Sequence, residues 1–113
     1  MKLRIASQTL SIEAFEQDLI KGRLPSLDHL FARDEYASFP LRKLAGFYAA
    51  KKAALRLLSH RETHYRDLLI SLSAGGPPRI RLIGAIPELC SLDVVIIESA
   101  SHASAFALAR FVR

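Results

Sequence analysis

The run LRKLAGFYAAKKAALRLL, Leu41 to Leu58, constrains this chain more than any other stretch: it is rich in Ala, Leu and Lys, has no internal proline, and follows Pro40. Those features specify a long helix with a proline at its start. At about 100° per residue, Leu41, Leu44, Phe47, Tyr48, Ala54, Leu55 and Leu58 fall on one arc, so the helix must lay that arc on an apolar surface. Lys51 lands near the middle of the arc. A lysine so placed either snorkels out past its neighbours or sits in a cleft where an anion offsets the loss of water around its ammonium. Lys52 lies toward the edge of the arc, and Arg42 and Arg56 lie on the polar side, where a solvated surface role is expected.

The segments before this helix read as one strand and two helical pieces. Met1 to Leu10 alternates loosely, Ser11 has the character of an N-cap, and Ile12, Phe15, Leu19 and Ile20 keep helical spacing until Lys21-Gly22 supplies a stop. Pro25 and Ser26 open a second piece, Leu27 to Tyr36, whose Leu27, Leu30 and Phe31 form a stripe. After the long helix, His60 to His64 is a polar connection and the character changes. Tyr65 to Leu72, Arg79 to Ile83, Leu92 to Ile97 and about Ala103 to Val112 are strand-like, separated by Gly75-Gly76-Pro77-Pro78 and by Gly84 to Pro87. The last stretch, AFALARFV, is equally compatible with a helix by propensity. Strands in series, not alternating with helices, predict an α+β fold in which the long helix packs on a small antiparallel sheet. A length of 113 residues fits a single domain spanning 1–113.

Several function classes are excluded early. Cys90 is the only cysteine, so no internal disulfide forms; no signal-peptide pattern is visible, and the cytoplasm is the expected compartment. Apolar runs such as Val94 to Ile97 are far short of the roughly 20 residues a membrane helix needs. A net charge of +5 favours an acidic partner. The basic residues are scattered, with no zinc-finger spacing and no aromatic-glycine signature, which argues against nucleic acid. His60 and His64 stand four apart, as metal ligands on a helix do, but have no third ligand nearby. Cys90 reads as a small core residue. No Ser/His/Asp signature or phosphate-binding glycine loop is present.

Several motifs, taken in order, resemble one family. LAGFYAAKKA, Leu44 to Ala53, is similar to the LAGRFAAKEA helix of the holo-acyl-carrier-protein synthases, a class of phosphopantetheinyl transferase. Phe31 and Glu35 match that family's Phe-Thr-x-x-Glu lead-in, SIEAF (Ser11 to Phe15) its Ile-Glu-Arg-Phe helix start, and Gly76-Pro77-Pro78 with RIRL its Gly-Lys-Pro turn and strand. VVIIESASH and AFALA echo its Ser-Ile-Ser-His and Tyr-Ala-x-Ala ending.

The resemblance implies transfer of the phosphopantetheine arm of coenzyme A to a serine of an acyl carrier protein, an acidic partner, by a homotrimer whose coenzyme site lies between subunits. It also implies magnesium held by two carboxylates, and here the chain departs from the pattern. Gln8 stands at the strand aspartate, with Ala6 for the preceding glycine, and Lys52 stands at the carboxylate after the helix lysine. Magnesium requires oxygen ligands, which Lys52 cannot supply, although its ammonium can lie against the pyrophosphate. Phe47 replaces an arginine and removes a phosphate contact. By resemblance, Lys51 is the candidate catalytic residue, and Gly46, Lys51, Lys52, Gly76, Pro78, Ser99 and His102 are the candidate coenzyme contacts. Ser99 and His102 are competing occupants of the last motif's place, and a histidine beside serines and alanines also fits a turn. Two other classes stay open: a non-catalytic module binding coenzyme A or a carrier protein, and a small basic nucleic-acid-binding domain.

Overall fold

The structure is a computed structural model that describes residues 1–58, 63–72, 77–84 and 86–112. Strand β1 (Lys2–Ser11) runs directly into helix α1 (Ile12–Ile20), because Ser11 leaves the strand and caps the helix, its Oγ accepting the Ala14 amide at 3.1 Å. Gly22, at φ 70°, ends the helix as the Lys21-Gly22 stop predicts. The expected second piece is two short helices, α2 (Leu27–Leu30) and α3 (Arg33–Ser38), with Phe31 and Ala32 extended between them. That break turns the Phe31 ring into the core, where it is fully buried.

Helix α4 (Leu41–Leu57) follows Pro40 and buries Leu44, Phe47, Tyr48 and a row of alanines. The strand expected from Tyr65 opens instead as a 3-10 turn, Tyr65–Asp67, because the Asp67 carboxylate accepts the His64 amide at 3.0 Å; strand β2 (Leu68–Leu72) begins only after it. Strands β3 (Pro78–Leu82), β4 (Leu89–Glu98) and β5 (His102–Phe111) complete the chain.

The strands form two antiparallel sheets. One has the order β1-β5-β4, and β2 and β3 make a separate hairpin beside β4. β5 is central, and the helical alternative for AFALARFV fails for a visible reason. Ala103, Ala105, Ala107 and Ala109 are buried at every second position, the period of a strand, and β1 and β4 flank β5 on both sides. The small side chains let α4 lie close on that face, and the core is the layer between them.

Among the described residues, none covers the opposite face of the sheet. Leu3, Ile5, Val95, Ile97 and Phe106 are 45% to 66% exposed there, in register as rows such as Ser7–Phe106–Val95. Cys90 corrects the sequence reading: it is exposed, because the register shifts between Leu89 and Ser91 and Cys90 is the extra residue of that bulge. Among the described residues, no helix is long and apolar enough to cross a membrane.

Candidate functional site

The middle of α4 carries a buried ammonium. Lys51 is fully buried; its Nζ donates to Glu35 Oε1 at 2.6 Å and to the Leu30 carbonyl at 3.0 Å, and lies 4.8 Å from the centre of the Phe31 ring. Glu35 Oε1 also accepts the Ala32 amide at 2.8 Å, and Oε2 accepts the Ile70 amide at 2.9 Å. One carboxylate therefore ties the α2–α3 break, α4 and β2 together. Burial lowers the Lys51 ammonium from its usual range, opposed by the hydrogen bond and charge of Glu35.

This geometry corrects one reading of Lys51: it does not snorkel, and the anion beside it is Glu35. The ammonium is held under the Phe31 ring by the Glu35 carboxylate and the Leu30 carbonyl. Sequence reasoning had Lys51 and Glu35 in separate motifs and missed that they are partners. The available signal was that a core lysine needs a carboxylate, and Glu35 belongs to the one other motif with a buried aromatic lead-in.

At Gly46 a Cβ would meet Glu98 Oε1 and Ile96 Cγ2 at 2.9 Å each, so the missing side chain admits strand β4. Pro78 opens β3 and lines a small cavity of about 120 Å³ with Phe47, Lys43 and Glu98; Lys43 Nζ stands 3.7 Å from Glu98 Oε2. Gly76 and His60 lie outside the described residues.

Ser99 and His102 come together as the two ends of the tight β4–β5 turn. Ser99 Oγ accepts the His102 amide at 3.0 Å, and the His102 ring meets Ser101 Oγ at 2.7 Å, both exposed. The Arg42 guanidinium donates to the carbonyls of Ser99 and Ala100, and Arg56 Nη1 donates to the Ser7 carbonyl at 3.0 Å. Both arginines, expected to be merely solvated, are exposed but anchor α4 to the sheet.

Arg56 also brings the end of α4 against β1 beside Gln8. Gln8 is half-buried in the helix-facing row of β1, opposite Ala105, and Lys52 lies one turn before Arg56 with its Nζ 5.5 Å from the Tyr48 ring centre. Of the two positions expected to hold magnesium, Gln8 offers a neutral amide oxygen and Lys52 an ammonium, and neither is a good ligand for a hard dication. Among the described residues, no group of three or more His, Cys, Asp or Glu side chains gathers to hold a metal, His64 included.

No family model matches the sequence, and no curated protein matches it. Solved structures do match its fold. A holo-[acyl-carrier-protein] synthase from Helicobacter pylori in complex with coenzyme A is 23% identical, with a TM-score of 0.77, over 94% of this chain and 99% of that one. A Chronobacterium ammoniagenes synthase–coenzyme A complex is 20% identical over all of both chains, with a TM-score of 0.76. The acyl carrier protein synthase of Mycobacterium tuberculosis is 24% identical over 95% of this chain and 96% of that one, with a TM-score of 0.72. This chain therefore has the α+β fold of the holo-acyl-carrier-protein synthases, nearly end to end. At the level of fold, the resemblance read from the motifs holds.

Proposed function

We propose that the chain binds coenzyme A and acts as a phosphopantetheinyl transferase of the holo-acyl-carrier-protein synthase type, with an acyl carrier protein as acceptor. The supporting observation is the nearly end-to-end likeness of fold to such synthases, two of them solved with coenzyme A. In the reaction, the carrier's serine oxygen attacks the phosphorus of the pantetheine phosphate. A new P–O bond forms, the bond to the bridging oxygen breaks, adenosine 3′,5′-bisphosphate leaves, and the serine proton passes to a base. Charge on the diphosphate has to be offset. The reading assigns that task to Lys52 and Arg56 beside Gln8, in place of magnesium.

The same charge reversal favours a second reading, a binding module that keeps the fold without the chemistry. Mass spectrometry of an acyl carrier protein incubated with coenzyme A and this chain separates the two. A mass gain of one phosphopantetheine with a chelator present is the expected result. Binding of coenzyme A with no mass gain selects the module, and no binding removes both readings.

The uncovered sheet face supports self-association, and a homotrimer is the proposed state. Light scattering at micromolar concentration tests it, and a monomer contradicts it. The absence of a membrane-crossing helix among the described residues is compatible with the cytoplasm as compartment.

A further inference from the structure

Tyr48, Lys52 and Arg56 follow one another at one-turn intervals on α4, so their side chains share one side of the helix. Lys52 and Arg56 are like charges one turn apart, and left to themselves they would swing away from each other into water. Each is held by a different device. Arg56 Nη1 donates to the Ser7 carbonyl at 3.0 Å, which fixes the guanidinium against β1. Lys52 makes no hydrogen bond or ion pair with another described residue. Its ammonium lies over the Tyr48 ring instead, with Nζ 5.5 Å from the ring centre.

The ring is a fixed platform. Tyr48 is 7% exposed, and two aromatic neighbours brace it from different elements: Phe15 of α1 at 5.3 Å between ring centres and Tyr65 of the 3-10 turn at 5.5 Å, both tilted. An aromatic face carries partial negative charge and attracts a cation placed over it, so an immobile ring narrows the places where the Lys52 ammonium rests. A free lysine loses most of its rotamer freedom when an anion captures it. A lysine already gathered over a ring loses less, and the anion binds more tightly for it. Lys52 is only half-buried, so its ammonium stays within reach of a ligand from solvent.

We propose that Tyr48 is a positioning residue: its ring holds the Lys52 ammonium beside Arg56, so that the two cations meet the diphosphate of coenzyme A as one preformed pair. The inference rests on the reading that this chain binds coenzyme A, and it names the residue that orders the charge there.

The test is a double-mutant cycle on coenzyme A affinity, read by calorimetry on the full chain with a chelator present. Tyr48→Leu should weaken binding roughly three- to fivefold when Lys52 is in place. Once Lys52→Met has removed the charge and kept the stem, the same change should cost less than about twofold. Tyr48→Phe, which keeps the ring, should rescue the loss. Because Tyr48 is buried, a second series guards against a variant that fails to fold: fluorinated phenylalanines introduced at Tyr48 drain the negative face of the ring with little change of shape. Affinity should fall stepwise with fluorination in the parent and stay level with Lys52→Met, a pattern that a purely structural ring would not give. Equal losses in the two backgrounds, or an affinity indifferent to fluorination, overturn the proposal and leave coenzyme A binding standing. No binding of coenzyme A by the parent chain overturns that reading and this one with it.

Discussion

Lys51 and Lys52 are neighbours in the chain and live in opposite worlds. Lys51 is sealed in the core on the Glu35 carboxylate, the Leu30 carbonyl and the Phe31 ring. Lys52, turned by one helical step, sits half-buried at the edge of α4, on the Tyr48 ring and one turn before Arg56. The inner position is a fold determinant that any change would damage. The outer one is half-buried and makes no buried hydrogen bond that a substitution would break.

The strongest way to break this contrast is Lys51→Ala, which leaves the Glu35 carboxylate buried with amides alone. A loss of about 3–5 kcal/mol is expected by urea unfolding, against about 0.5 kcal/mol or less for Lys52→Ala. Comparable losses for the two would dissolve the distinction. Gly46→Ala should come next, costing about 1–3 kcal/mol as Ile96 and Glu98 are forced away from α4. A neutral result would mean that β4 has slack against the helix.

Alkaline pH sharpens the comparison from the core side. Burial holds the Tyr48 phenol up to about 12 from 10.0, so the folded chain keeps a proton that the unfolded chain loses. That stabilisation is complete below pH 10 and is lost as pH rises toward 12. Lys51 acts in the opposite sense, since its lowered ammonium makes burial less costly as pH rises toward its unfolded value of 10.5. Tyr48→Phe removes the first effect, and its stability should fall less steeply across the alkaline window than that of the parent. An identical slope would contradict the assignment. The smallest effect on stability, and the most informative on chemistry, is expected from Gln8→Asp with Lys52→Glu, which should leave the fold intact and create magnesium binding detectable by calorimetry. Each single change should create much less, because both ligands act on one ion.

Periodicity made the long helix, the Ser11 cap and the Lys21-Gly22 stop legible in the sequence, because each is a local signal. The series of strands made the α+β class legible. What escaped was non-local. Nothing near Lys51 in the sequence announces Glu35, and nothing near Gly46 announces the packing of strand β4 against it. Cys90 looked apolar by its neighbours, but a one-residue bulge turned it outward. Arg42 and Arg56 lie on the polar arc as expected, yet their roles come from strand carbonyls far along the chain. Of the candidate site, the expected departures at Gln8 and Lys52 were readable by alignment alone; the contact of Arg56 with the Ser7 carbonyl, which gives this end of α4 a positive edge, needed the fold.

That positive edge is most directly tested by titrating coenzyme A into the parent chain by calorimetry, once with magnesium and once with a chelator. Equal affinity under both conditions is the expected result, because Lys52 and Arg56 supply the charge without an ion. Affinity that appears only with magnesium, or no binding under either condition, would contradict it.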